Sequence, residues 1–118
     1  MQHRKKGKTL GREKDQRQHL LKNLAESLIM EESIKTTKAK AKELRTFVEP
    51  LITKASEGTE SARRHLLGEL GGKSSVVEKL MEELGPRFED RPGGYTRIVK
   101  LPPRERDGGE RALIEFVE

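Results

Sequence analysis

The chain has no cysteine and no tryptophan, and aromatic residues make up only 3% of it. Without cysteine there can be no disulfide and no thiolate metal site, which fits a reducing compartment. The four aromatics are Phe47, Phe88, Tyr95 and Phe116. They are too few for the row of base-stacking platforms that single-strand binders use. Any nucleic-acid contact should therefore lean on phosphates and shape. No apolar run reaches the roughly 18 residues of a membrane span. The N-terminus is charged with no apolar stretch behind it, unlike a secretory signal, and its single hydroxyl residue, Thr9, argues against a transit peptide. Hydrophobic residues total 31% against 38% charged, so the core must be modest. A chain of 118 residues is sized for one domain with an extension.

What is abundant is positive charge, and it is concentrated. Residues 1–22 hold eight basic side chains and two acidic ones, a net +6, whereas the whole chain carries +5. The remaining 96 residues therefore sum to −1. The basicity belongs to a local arm, read here as an extended segment over residues 1–14 ahead of a domain over 15–118. Such an arm is the usual footprint of a nucleic-acid partner. Arg4, Lys5, Lys6, Lys8 and Arg12 supply five point charges over nine residues, with Gly7 and Gly11 as joints and His3 alongside. A segment of this kind can follow a phosphate-lined groove.

Periodicity lays out the rest. Leu20, Leu21, Leu24, Ala25, Leu28 and Ile29 form a one-sided stripe, predicting a helix over 15–32 with Asp15 as its N-cap. Ser33–Thr37 is short and β-branched and reads as a strand. Ala41, Leu44, Val48, Leu51 and Ala55 predict a helix over 38–56, capped by Thr37 and stopped at Gly58, with a bend near 46–49 from Pro50. A shorter helix over 59–70 ends at Gly71-Gly72. Ser75-Val76-Val77-Glu78 matches a capping box, opening a helix that Gly85-Pro86 should end. Tyr95–Leu101 and Ala112–Val117 are β-rich, joined by a charged, glycine-containing hairpin loop. The order α-β-α-α-α-β-β predicts a two-layer α+β fold, helices on one face of a small mixed sheet.

Tests for chemistry are negative. Gly7-Lys8-Thr9 and Gly72-Lys73-Ser74 resemble the end of a phosphate loop, but the required upstream glycines are Gln2 and Leu67. His3, His19 and His65 share no metal-ligand spacing. No nucleophile elbow or paired-acid arrangement is visible. The expectation is no catalytic residue, no metal, no cofactor, no small-molecule substrate and no membrane. Two further basic features stand out. Lys38, Lys42 and Arg45 lie within about a 60° arc of the second helix, near an N-terminus that already favours anions. Arg91-Pro92-Gly93-Gly94-Tyr95-Thr96-Arg97 places two permissive glycines before Tyr95 and Arg97, a pair that could stack on and pair with an RNA backbone. Taken alone, it reads first as a turn into a strand.

Together these segments resemble the bacterial large-subunit ribosomal protein L17 family, nearly end to end. His3-Arg4-Lys5, Gly7 and Leu10-Gly11-Arg12 are similar to its opening arm. Leu21-Lys22-Asn23-Leu24-Ala25 with Ser27-Leu28 is similar to its first helix. Ile34, Thr36-Thr37, Lys40–Arg45 and Leu51-Ile52-Thr53 match its most distinctive stretch. Gly93–Ile98 and Ala112–Glu115 match its closing strands. Gln2, Glu13, Asp15, Gln16 and Pro50 depart from the family pattern, and the first four thin the charge of the arm and its junction with the helix.

The resemblance implies a non-catalytic constituent of the large subunit, taking part in translation and binding ribosomal RNA near the exit of the peptide tunnel. It implies a cytoplasmic ribosome, or that of an organelle, with the protein monomeric among neighbouring ribosomal proteins. The expected RNA-binding residues are His3, Arg4, Lys5, Lys6, Lys8, Arg12, Arg17, Lys38, Lys42, Arg45, Tyr95 and Arg97. The rival readings are a basic-arm DNA-associated protein and a protein-interaction module outside the ribosome.

Overall fold

A computed structural model of the chain describes residues 2–103 and 109–118, with side chains described from residue 13 onward. The elements run α1 (Gln2–Glu31), β1 (Ser33–Thr37), α2 (Lys38–Ala55), α3 (Glu60–Glu69), α4 (Ser74–Lys79), a π-helical stretch (Leu80–Leu84), the turn α5 (Gly85–Arg87), β2 (Thr96–Leu101) and β3 (Arg111–Phe116). The expected α+β architecture is present. The sheet has the order β1-β3-β2 and is antiparallel throughout, not mixed. The last strand inserts between the other two, as the register Ile34↔Ile114↔Ile98 records.

The alternation along β3 sets the layers. Ala112, Ile114 and Phe116 are buried, while Arg111, Leu113 and Glu115 on the other side are half-buried. The buried face meets the helical layer. From α2 come Ala41, Leu44, Val48, Leu51, Ile52 and Ala55; from α1, Ala25, Leu28 and Ile29; from the fourth helical stretch, Val77, Leu80 and Leu84. The α1 and α2 members belong to the periodic stripes read from sequence, with Ile52 added. The α1 stripe works only in its second half. Leu20 is 39% exposed, because α1 at that point has left the sheet and has nothing to pack on.

Capping follows local chemistry in some places and tertiary packing in others. Thr37 caps α2, its hydroxyl accepting from the Lys40 amide at 3.2 Å. Thr59 caps α3 in the same way, from the Ala62 amide at 3.0 Å. Gly58 closes α2 in the left-handed region, with φ 69°. The end of α3 is a Schellman closure, in which the Gly72 amide donates to the Leu67 carbonyl at 2.7 Å.

Four local expectations are corrected. Asp15 is not an N-cap: it lies inside α1, because Glu13–Gln18 are all tolerable helix formers and nothing there breaks the ladder. Over Glu13–Lys14 the chain is helical where an extended arm was expected. The arm's remaining residues, 1–12, have side chains outside the described residues. Ser75 does not open a capping box; Lys73 holds the N-cap position of α4 with no side-chain cap. Gly85-Pro86 does not end the helical stretch, which continues to Arg87. The ladder widens instead, and the Gly85 amide donates to the Leu80 carbonyl. That π-turn sits where the Pro86 ring would otherwise meet the carbonyl of residue 82. At Pro50, α2 continues to Ala55.

Candidate nucleic-acid interface

Of the twelve expected RNA-binding residues, His3, Arg4, Lys5, Lys6, Lys8 and Arg12 have side chains outside the described residues. Arg17 is exposed on the part of α1 that runs off the domain, where every residue from Glu13 to Leu20 is exposed. Lys38 and Lys42 stand at the start of α2. The Lys38 ammonium lies 4.0 Å from the Glu110 carboxylate, with 40% of its side chain exposed. Lys42 is exposed.

Arg45 is exposed, yet its guanidinium is engaged in a structural task. Its guanidinium donates to the Thr96 carbonyl at 3.2 Å and to the Thr96 hydroxyl at 3.4 Å. One helical turn on, Glu49 takes the other side of the same segment. Its carboxylate accepts from the amides of Gly94 at 3.0 Å, Tyr95 at 3.3 Å and Thr96 at 2.9 Å, and from the Thr96 hydroxyl at 2.9 Å. The Arg91 guanidinium closes the loop by donating to the Gly94 carbonyl at 3.1 Å. Three successive amides can converge on one carboxylate because Gly93 and Gly94 hold φ of 152° and 65°, a nest conformation open to glycine. The two glycines act through their positive φ, with open space at their Cβ positions, and the group their loop receives is Glu49. The residue types gave no direct sign of this; the i, i+4 spacing of Arg45 and Glu49 on α2 was the available clue.

Tyr95 does not offer a stacking face. It is 2% exposed, its ring centroid 5.2 Å from that of Phe88, and its hydroxyl sits 2.9 Å from the Thr53 hydroxyl. Burial satisfies both ends of the side chain, the ring against Phe88 and the hydroxyl on Thr53. Arg97, one residue beyond Thr96, points the opposite way. Its side chain is 60% exposed and pairs at 2.6 Å with Glu115, its neighbour across the sheet. The second and third basic features are thus one structure: Arg45 and Glu49 fix the strand start from which Arg97 projects.

His19 is exposed, and His65 lies 4.0 Å from Glu69 on the α3 surface. Among the described residues no group of three or more potential ligands could hold a metal ion, and no helix is long and apolar enough to cross a membrane.

The fold and its surface define a small two-layer α+β domain with a highly charged, solvent-exposed helix running off one end. Residues 20–117 match the family described as Ribosomal protein L17. The chain is 56% identical over 117 residues to "Large ribosomal subunit protein bL17" of Gemmatimonas aurantiaca, covering 99% of this chain and 98% of that one. It is 52% identical to the protein of the same name from Hydrogenobaculum, with full coverage of both. The Salinibacter ruber protein of that name is 51% identical over the whole of this chain, which spans 59% of its length. The chain belongs to the ribosomal protein L17 family, as the ordered motifs suggested.

Proposed function

We propose that this protein is a structural, non-catalytic constituent of the large ribosomal subunit that binds large-subunit ribosomal RNA. The observation that carries the reading is the near-complete match to relatives named as large-subunit proteins. The charge distribution supports it, since +6 is held in residues 1–22. In this reading residues 1–14 act as the RNA-entering extension and residues 15–118 as the domain that sets its direction. His3, Arg4, Lys5, Lys6, Lys8, Arg12 and Arg17 bind phosphates first. Lys38 and Lys42 form a second footing. Arg45 holds the loop from which Arg97 forms a third, and Tyr95 supports that loop from the core. The site of assembly is near the exit of the peptide tunnel, among other large-subunit proteins, with one copy per ribosome in the cytoplasm.

The test is sedimentation. Lysate of the source organism is run on a sucrose gradient, and the chain is located before and after a salt wash. Co-migration with the large subunit through moderate salt is the expected result. A free or nucleoid-bound peak rejects it in favour of the DNA-associated or protein-interaction reading. On deproteinised large-subunit RNA, neutralising five to eight phosphates gives a log–log salt slope of roughly −3.5 to −7.

A further inference from the structure

The helices cover one face of the sheet only. The other face carries three cross-strand rows, given by the register: Thr37, Arg111 and Leu101; Lys35, Leu113 and Val99; Ser33, Glu115 and Arg97. Lys35 and Arg97 are exposed, Arg111 is half-buried, and Val99 is 42% exposed. Arg111 and Lys35 are diagonal neighbours, with Cα atoms roughly 7–8 Å apart. Neither has an acidic partner among the described residues. The single acid in these rows, Glu115, is matched by Arg97. The α1 wall beside β1 makes the surface concave, a groove of about 470 Å³ lined in part by Leu24, Ser27, Glu31, Lys35 and Leu113.

We infer that this open sheet face is itself an RNA-backbone footing, with Lys35 and Arg111 as phosphate-binding residues not marked by any sequence motif; the inference rests on the reading of the protein as an RNA binder. The charge is of the right sign: three cations to one acid in the strand rows, and three to two when Glu31 on the α1 wall of the groove is counted. It is also continuous with the second footing, because Thr37 both ends β1 and caps α2, where Lys38 and Lys42 begin. The apolar residues between the cations, Val99 and Leu113, are aliphatic. They suit the flat edge of a ribose but offer no stacking plane, so recognition is of backbone and shape. A protein partner would need acids to meet Lys35 and Arg111 together; RNA presents that charge at every nucleotide.

The experiment uses the full chain and deproteinised large-subunit ribosomal RNA of the source organism. In K35A/R111A, checked by thermal melting, the salt slope becomes shallower than wild type by roughly 1.4–1.8, the loss of two phosphate contacts. An unchanged slope, with wild type binding normally, overturns the inference and leaves the proposed function standing. Failure of wild type to bind at all removes both. A second arm does not depend on the double variant folding. Because the chain has no cysteine, V99C can be labelled uniquely with a photo-cross-linker and assembled into large subunits. Cross-links to RNA are expected, and cross-links chiefly to a ribosomal protein overturn the assignment.

Discussion

Glu49 is the residue on which the C-terminal half of the candidate interface depends. One carboxylate serves three backbone amides and a hydroxyl, and Arg45 holds the same strand start from the other side. Hydrogen bonds to a charged acceptor contribute more than neutral ones, and their loss strands donors that the loop cannot re-pair. Glu49→Ala should therefore lower stability by about 2–3 kcal/mol, read as a reduced denaturant midpoint at unchanged slope. Glu49→Gln, which keeps one acceptor oxygen, should fall between the two. Equal stability of wild type and Glu49→Ala would show that solvent serves those amides as well. The glycines before Tyr95 were visible in the sequence as a turn or a ligand cradle. That the cradle is filled from within could be known only once α2 lay across β2.

At the scale of elements, the end of α2 and the start of α5 meet closely at Gly85. A Cβ placed on Gly85 would lie 2.7 Å from the Ala55 carbonyl oxygen and 2.9 Å from its carbon. Both are backbone atoms of a helix end and have little room to yield. Gly85→Ala should destabilise the fold by about 1–3 kcal/mol, as overpacking does, despite alanine's higher helix propensity. Gly68→Ala is the contrast, since it lies in a helix with nothing near its Cβ position; it should be neutral or stabilising, by up to about 1 kcal/mol. A chemical-denaturation pair decides it: equal midpoints for the two variants would refute the packing argument. From sequence, Gly85-Pro86 reads as a helix stop. In the fold the glycine permits helix contact, and the proline is absorbed by a wider turn.

For the molecule as a whole, a charged junction ties the elements together where α1 ends. Glu32 occupies the left-handed region at φ 69°, costing roughly 1–2 kcal/mol for a residue with a Cβ. Its amide donates to the Leu28 carbonyl, and its carbonyl accepts from Phe116 on β3. Its carboxylate pairs with Arg87 of α5 and, at 3.3 Å, with Lys79 of α4. The Arg87 hydrogen bond holds the Glu32 carboxyl below the ordinary carboxylate range, against a smaller opposing push from burial. A depressed folded-state value means stabilisation that is complete above the unfolded value, about pH 4.3. It is lost as pH falls through the folded value. Wild type should exceed Glu32→Gln in stability by a constant margin above about pH 5, and the margin should close below about pH 4. Parallel curves down to pH 2 would contradict this.

The sequence by itself determined the periodic stripes of α2 and the second half of α1, the Thr37 cap, the glycine closures at Gly58 and Gly71-Gly72, three strands and the concentration of charge at the N-terminus. All are local: each depends on residues within a turn or two, or on a simple sum. The tertiary structure decided what depends on neighbours distant in the chain. It made the sheet antiparallel by inserting β3 between β1 and β2. It sent Tyr95 inward, because Phe88 and Thr53 were there to receive it. It spent Arg45 and Glu49 on Thr96, and left Lys35 and Arg111 together on the uncovered face. Helix and turn chemistry is written in short windows of sequence, whereas the role of a charged side chain is set by which distant group it meets.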